Sequence, residues 1–310
     1  MQFGDVPGLA KLKTKLATSV NKGKLPHALL LLGNEGSGKL ALAYALTSYI
    51  YCTNRQNDDS CGECSSCRKI GSHTHPDVHY TMPLTNNSTS AKKPISTDFI
   101  TQWREFNKDH TFFNTADWVS VIAKDENKQP NIYREETRSI LSKLSLKPYE
   151  GEAKTLIIWM PEYLKTESNA LLKIIEEPPQ KTYFILVAED SDELLTTITS
   201  RTQLVKVPTY TEEETEAYLK EKYNLESTKA EQLSYLAEGN FRKAISLVES
   251  VEDNYSALFR EWMVACYTNN LAKAYEIGES LHKSGRTQTQ LFLTNGLAIL
   301  RQSLLHKMVD

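Results

Sequence analysis

The chain has 310 residues, enough to bury a sizeable core and to form two or three domains. Its composition, 40% hydrophobic and 24% charged, is typical of a globular protein, and its net charge of −3 excludes a bulk electrostatic attraction to nucleic acid. No run of about eighteen apolar residues could span a membrane, and the first residues lack the apolar stretch of a secretory signal, so we expect a cytoplasmic protein. In that reducing compartment, the five cysteines favour a metal site or free thiols over disulfides.

Short apolar runs alternate with helical patterns over the first two thirds of the chain. A helical spacing of leucines over 8–22 precedes the apolar run 28–33, whose Pro and Gly borders are typical of a buried strand. Similar runs recur at 77–82, 155–160, 183–188 and 203–207, and helical patterns occur at 40–51, 134–145 and 164–177. Strands that alternate with helices predict an α/β fold with a parallel sheet.

Two segments interrupt this alternation of strands and helices. After the last predicted strand, the pattern predicts helices only. Residues 52–67 are rich in cysteine, and residues 84–131 are a polar insertion with an aromatic centre, which we expect to be partly ordered with flexible ends. After Pro208 the pattern predicts three short helices up to residue 250 and further helices beyond it. The predicted domains are a core over 1–208, a helical segment over 209–250 and an abbreviated helical segment over 251–310.

A glycine-rich segment, Gly33-Asn-Glu-Gly36-Ser-Gly38-Lys39, follows a predicted strand and opens a predicted helix, which is the context of a P-loop. Such glycines let backbone N–H groups surround phosphate oxygens, and Lys39 would add a positive charge. The next residue should carry a hydroxyl for magnesium, but it is Leu40. A glycine turn without any nucleotide is the simpler alternative, so nucleotide binding at this segment stays open.

The acidic element of a P-loop enzyme is also missing. The predicted strand should end in an aspartate that holds magnesium and a glutamate that positions water, but it continues as Trp159-Met160-Pro161-Glu162. Neither Trp159 nor Met160 can hold a hydrated cation, and Glu162 lies three positions beyond the place of the aspartate. We therefore expect no ATP hydrolysis by the chain itself.

Four cysteines, Cys52, Cys61, Cys64 and Cys67, are separated by eight, two and two residues. Four thiolates complete a tetrahedral zinc site and leave no open position, so the predicted zinc ion is structural. Free buried thiols and an iron–sulfur site are the alternatives. The fifth cysteine, Cys266, lies in an apolar helical pattern and is most simply a core residue.

Further motifs follow the cysteines. They are His75-Pro-Asp77, the long run Ser168-Asn-Ala-Leu-Leu-Lys-Ile-Ile-Glu-Glu-Pro-Pro179 and Thr199-Ser-Arg-Thr202, and a Lys24-Leu-Pro-His-Ala28 segment precedes the glycines. Together with the glycine loop and the cysteines, they resemble the AAA+ subunits of bacterial DNA polymerase clamp loaders, over about 3–83 and 131–250. The resemblance implies an AAA+ core with a zinc module, a three-helix lid over 209–250 and a helical collar over 251–310.

Within that family, gamma/tau-type subunits hydrolyse ATP and delta-prime-type subunits do not, and Leu40, Trp159 and Met160 resemble the second type. The resemblance implies ATPase subunits and a delta-type clamp opener as partners and, indirectly, the sliding clamp and primed DNA at the replisome. It also implies that Arg201 enters the ATP site of an adjacent subunit as an arginine finger, and that Arg242 has the second-sensor position of the lid. A surface ion pair is the simpler alternative for Arg201.

Three other functions stay open. An ATP-hydrolysing gamma/tau-type subunit or a related DNA motor would require a magnesium ligand, which the sequence lacks. A P-loop kinase for nucleoside monophosphates would be expected to have neither the four clustered cysteines nor the long helical tail. A scaffold with an inactive Arg201 is the third alternative.

Overall fold

The computed structural model describes residues 1–86, 93–123, 129–194, 196–252, 255–284, 289, 292–293, 296–297, 299–300 and 303. It consists of two compact units, Met1–Tyr210 and Thr211–Asp310. None of the helices described within these ranges combines the length and the hydropathy needed to cross a bilayer. The flexible ends predicted for the insertion, and part of the helical segment predicted over 251–310, lie outside the described residues.

The first unit is built on one five-stranded sheet in which every neighbouring pair is parallel. The strands are β1 Ala28–Leu32, β2 Val78–Thr81, β3 Lys154–Trp159, β4 Thr182–Ala188 and β5 Gln203–Lys206. Their order across the sheet is β2-β3-β4-β1-β5. The central strands read as continuous apolar runs because they are buried along nearly their whole length. The prediction of an α/β fold with a parallel AAA+ sheet is confirmed.

Eight helices are described in this unit. They are α1 Ala10–Asn21, α2 Lys39–Tyr51, α3 Ser65–Gly71, α4 Ile100–Asp109, α5 Thr115–Ile122, α6 Arg134–Ser145, α7 Asn169–Glu176 and α8 Thr196–Thr199, with 3₁₀ segments at Ser96–Phe99 and Pro161–Ser168. α2 is apolar on all sides, and twelve of its thirteen residues are buried. The single helix predicted over 164–177 is therefore split, because its first residues belong to a 3₁₀ segment and only α7 is α-helical.

One core cluster joins three strands of the sheet to α6 and α7. Leu30, Leu156 and Phe184 on β1, β3 and β4 pack with Ile140 of α6 and Leu171 of α7. All five side chains are at most 1% exposed. This cluster fixes α7 against the sheet, and α7 ends at Glu176, the first acidic residue of the motif that precedes Pro178-Pro179.

The second unit is described as helices only. They are α9 Glu212–Tyr223, α10 Ser227–Ala237, α11 Phe241–Glu252, α12 Tyr255–Tyr267 and α13 Leu271–Ser284. The first three helices share a core around Leu219, Leu233 and Leu247, and α9 begins with a capping box between Thr211 and Glu214. Three helices are thus present where the sequence predicts three.

The prediction that Cys266 is a core residue is wrong, because its side chain is exposed. α12 buries Tyr255 and Phe259 at a helical spacing. In the last turn of α12 that spacing allows either residue 265 or residue 266 to face the core, and the structure buries Ala265.

Candidate functional site

The glycine-rich loop connects β1 to α2, in the order predicted for a P-loop. Gly33 approaches the backbone carbonyl of Val207 so closely that a Cβ atom would collide with it. Gly36 and Gly38 have φ angles of 74° and 75°, a left-handed conformation that favours glycine. Lys39 begins α2 and is buried. The local fold of the loop therefore explains why glycine occurs at these positions, whether or not the loop binds a phosphate.

The chain itself provides partners for the ammonium group of Lys39. Its Nζ atom donates to Oε1 of Glu189 at 2.9 Å and to the backbone carbonyl of Asn34 at 3.0 Å. The Lys39 side chain is 6% exposed and the Glu189 side chain 29%, so solvent reaches this ion pair mainly from the carboxylate side. The positive charge that a P-loop would offer to a phosphate is balanced here by a carboxylate. The sequence analysis did not identify Glu189, although an acidic residue directly after a buried strand is a usable signal.

Glu162 stabilises the segment that carries Glu189. Its Oε1 atom accepts hydrogen bonds from the backbone N–H groups of Glu189 and Asp190. Burial raises the pKa of Glu162, and these N–H donors oppose that shift. Glu162 is thus an acceptor for backbone groups in the described structure, consistent with the prediction that it does not replace the missing aspartate.

The carboxyl end of β3, where a P-loop enzyme carries its acidic residues, is apolar and covered. Trp159 is 3% exposed, and its ring lies 5.3 Å from the ring of Trp103 and 5.1 Å from that of Phe113, between centroids. Trp118 packs edge-on against Trp103 at 4.9 Å. Trp103, Phe113 and Trp118 all belong to the insertion, so its aromatic centre is a cover over Trp159.

The same insertion also contacts the glycine loop. The rings of Phe112 and Tyr210 lie 6.2 Å apart at 82°. A Cβ atom on Gly38 would collide with the Tyr210 hydroxyl and would lie 3.3 Å from the Phe112 ring. Asn114 donates from Nδ2 to Oε2 of Glu35 at 2.9 Å. These contacts join residues distant in sequence, and the sequence analysis missed all of them.

The four predicted metal ligands come together in the structure. The Sγ atoms of Cys52, Cys61, Cys64 and Cys67 all lie within 4.8 Å of one another. A tetrahedral zinc site with bonds of about 2.3 Å needs sulfur–sulfur separations of about 3.8 Å, which small side-chain rotations can reach. All four cysteines are free thiols rather than disulfides. These residues can hold a metal ion.

Backbone N–H groups point at the sulfur atoms of this cluster. Cys61, Cys64 and Cys67 donate from their backbone nitrogens to the sulfurs of Cys52, Cys61 and Cys64, at 3.2 to 3.4 Å. Burial opposes ionisation of Cys64, but N–H donors from Cys67 and Thr53 outweigh it and lower the pKa to about 6. Burial raises the pKa of Cys52 and Cys67. A bound cation would reverse that cost, because a metal ion deprotonates the thiols that coordinate it.

Arg201 lies between α8 and β5, and it bonds to the end of α7. Its Nε atom donates to Oε1 of Glu176, and Nη1 donates to the carbonyl of Thr197 at 2.9 Å. The Arg201 and Glu176 side chains are 33% and 44% exposed. The ion pair that the sequence analysis gave as the simpler alternative for Arg201 is therefore present. Arg242 lies on α11 of the second unit, and its second-sensor role stays a prediction.

Comparison with known proteins gives a family and several relatives for this chain. A family model described as "DNA polymerase III, delta subunit" matches residues 8–211. DNA polymerase III subunit delta' of Yersinia pestis is 32% identical over 182 residues, which are 58% of this chain and 41% of the relative. DNA polymerase III subunit gamma of Buchnera aphidicola is 26% identical over 253 residues, which are 80% of this chain and 58% of the relative. The chain thus spans about half the length of these relatives.

Among solved structures, one match is the RuvB Holliday junction branch migration motor of Thermotoga maritima. The superposition covers 81% of this chain and 64% of the RuvB chain, at 19% sequence identity and a TM-score of 0.46. The strand order and the family match identify the fold without this loose superposition. The matched region, 8–211, includes the glycine loop, the four cysteines and Arg201. The chain therefore belongs to the delta-prime family of DNA polymerase III clamp-loader subunits.

Proposed function

We propose that this chain is a non-hydrolysing subunit of a DNA polymerase III clamp loader. In this role it helps ATPase subunits to place the sliding clamp on primed DNA, and it supplies Arg201 as an arginine finger to a neighbouring ATP site. The observation that carries the first part is the burial of Trp159, at 3% exposure, under the aromatic side chains of the insertion.

The burial of Trp159 matters because phosphoryl transfer needs magnesium and magnesium needs oxygen ligands. A hydrated Mg²⁺ ion is held by carboxylates and phosphates at about 2.1 Å, and an indole ring offers neither. Leu40 replaces the hydroxyl that would bind the ion on the other side, and it is 7% exposed in the core. Lys39 is already paired with Glu189. These features support a site without catalysis and disfavour nucleotide binding at Gly33, Gly36, Gly38 and Lys39.

The arginine-finger part is supported by chemistry and by exposure. A guanidinium group supplied from a neighbouring subunit stabilises charge on a transferring phosphate, and Arg201 is partly accessible. A subunit that has lost its own catalytic residues gains nothing in its own site from such an arginine. Its benefit is therefore expected in the site of a partner.

We further propose that Cys52, Cys61, Cys64 and Cys67 hold a structural zinc ion. A closed set of four thiolates would leave no position for substrate, so the ion would stabilise the segment around α3. Next to this segment, Asp59 accepts backbone N–H groups from Phe3 and Gly4, both at 2.8 Å. The ion would thus also help to fix the N-terminal residues of the first unit.

The partners follow from the relatives and are proposals for this chain. Relatives named as gamma and tau subunits indicate gamma/tau-type ATPase subunits as neighbours. A delta-type clamp opener, and indirect contact with the sliding clamp and primed DNA, complete the proposed assembly. Its place would be the replisome in the cytoplasm.

The test is to reconstitute the chain with the ATPase and clamp-opening subunits of its organism and to measure clamp- and DNA-stimulated ATP turnover. An arginine finger contributes a factor of about 10³ or more at the site it enters. Arg201→Ala should therefore abolish the contribution of one ATP site while the assembly keeps its size in light scattering. Unchanged turnover by an intact assembly would contradict the arginine-finger role.

The second candidate is an ATP-hydrolysing gamma/tau-type subunit. It is favoured by the similarity to the gamma subunit of Buchnera aphidicola, which extends over 80% of this chain. Magnesium-dependent turnover by the isolated chain, lost in Lys39→Ala, would establish this candidate. Absence of such turnover would leave the non-hydrolysing role in place.

A further inference from the structure

We propose that Glu176 is a positioning residue for Arg201, which fixes the direction in which the guanidinium group is presented to a partner subunit. This inference rests on the proposed role of Arg201 in trans. It assigns a purpose to the first glutamate of the Glu176-Glu177-Pro178-Pro179 motif, whose side chain faces Arg201 rather than the core.

The three guanidinium nitrogens of Arg201 are used unequally. Nε donates to Glu176, and Nη1 donates to the Thr197 carbonyl at 2.9 Å and to the Ser200 hydroxyl at 3.3 Å. Nη2 has no hydrogen-bond partner among the residues that the structure describes. A guanidinium group is a rigid planar fork, so fixing two of its nitrogens also fixes the direction of the third. The group is therefore held on two sides with one end available.

Glu176 differs from the other two partners in where it lies. Thr197 and Ser200 belong to the same short segment as Arg201, so bonds to them move together with that segment. Glu176 ends α7, which the core cluster packs against the sheet. Of the described bonds of the Arg201 side chain, only the one to Glu176 therefore ties the guanidinium group to a different element of the first unit.

The position of Glu176 on its helix is electrostatically unfavourable unless a cation compensates it. The C-terminal end of a helix carries a partial negative charge, which disfavours a carboxylate there. Arg201 supplies the compensating charge, because its Nε atom donates directly to the carboxylate. His27 also stabilises this helix end, since its Nε2 atom donates to the carbonyl of Ile175 at 2.9 Å. The geometry of this helix end therefore depends on α7, on the segment that carries Arg201 and on the residue that precedes β1.

The expected effect is on catalysis in the partner rather than on folding. The pair is partly exposed, and exposed ion pairs contribute little to stability. An unrestrained arginine side chain populates many rotamers, whereas transition-state stabilisation depends strongly on placement, with about 10²-fold at stake for a shift of 1 Å. Removing the Glu176 charge should thus leave Arg201 present but poorly directed.

The test compares Glu176→Gln with Glu177→Gln in the reconstituted loader. Glu177 is the adjacent exposed glutamate, and the structure records no side-chain hydrogen bond or ion pair for it, so the second variant removes the same charge without touching Arg201. Clamp- and DNA-stimulated turnover is measured as a function of ATP concentration, with Arg201→Ala and Glu176→Asp in the same series. The size and the melting temperature of each assembly are recorded in parallel.

We expect Glu176→Gln to lower the turnover at the ATP site that Arg201 enters by roughly 10-fold, so that the kcat of the assembly falls toward the value in Arg201→Ala. KM for ATP should stay unchanged, because the lost interaction matters only in the transition state. Glu176→Asp should retain part of the activity, and Glu177→Gln should match the wild type. A normal or raised kcat in Glu176→Gln, together with a large loss in Arg201→Ala, would overturn the positioning role and leave the arginine finger intact. No loss in Arg201→Ala would instead overturn the proposed function.

Discussion

Replacing Trp159 by aspartate would place a carboxylate at the strand end where P-loop enzymes carry one. We expect Trp159→Asp to gain no ATPase activity and to destabilise the first unit severely. Removal of a buried tryptophan costs about 3–5 kcal/mol, because the cavity between Trp103 and Phe113 cannot close. A buried, unpaired carboxylate adds at least about 3 kcal/mol. The sum of roughly 6–8 kcal/mol is comparable to the whole stability of a domain, about 5–15 kcal/mol.

The assay is urea denaturation followed by tryptophan fluorescence and circular dichroism, combined with steady-state ATP turnover. Trp159→Phe is the matched control: it keeps an apolar ring and should cost only about 1–2 kcal/mol, again without any ATPase activity. A Trp159→Asp protein with wild-type stability would refute the conclusion that this position belongs to an aromatic core. Magnesium-dependent hydrolysis by Trp159→Asp, lost when Lys39→Ala is added, would refute the proposal that the chain cannot hydrolyse ATP.

Two further predictions concern the metal ligands and a buried carboxylate. Treatment with a chelator, or the substitution Cys61→Ser, should release about one zinc ion per chain. The melting temperature should fall by about 5 °C or more, since each kcal/mol of lost stability lowers it by roughly 2–4 °C. Elemental analysis checks this, and Cys266→Ser, an exposed cysteine in the second unit, should leave the zinc content unchanged. Burial raises the pKa of Glu136, whose oxygens accept from the Thr81 hydroxyl and the Ser96 N–H group. The stability that this carboxyl group contributes is therefore full below its unfolded pKa and is lost as the pH rises through its folded pKa. Glu136→Gln should thus become more stable relative to the wild type between pH 4.5 and pH 8, and a constant difference in urea midpoints over that range would contradict the assignment.

The fold was predictable from the sequence because local patterns encode it. The three central strands, β1, β3 and β4, contain apolar runs bounded by turn residues, and a helix such as α6 buries apolar residues at a 3.6-residue spacing. At α7 the predicted helix began too early, because the residues before Asn169 form a 3₁₀ segment. Spacing alone does not separate a 3₁₀ turn from the first turn of an α-helix.

The candidate site was only half predictable. The glycine loop, the four cysteines and Arg201 are recognisable because their chemistry depends on residue type and short spacing. Glu189 and Asn114 were missed because their partners lie 150 and 79 residues away along the chain. Such contacts depend on the order of the strands in the sheet and on the packing of the insertion against the glycine loop. Local sequence patterns predict neither of these features.

The structure shows what occupies the positions where the sequence lacks the magnesium-binding residues of a P-loop enzyme. The sequence lacks a hydroxyl after Lys39 and an aspartate after β3, which is compatible with a site that has merely decayed. In the structure, the lysine charge is balanced by Glu189 and the strand end is packed beneath Trp103. A reversion at one position would therefore place a polar or charged group into a filled, apolar space, and it would be opposed by packing before it could help catalysis. If the chain is the non-hydrolysing subunit proposed above, gaining ATP hydrolysis would therefore require the strand end, the partner of Lys39 and the insertion to change together.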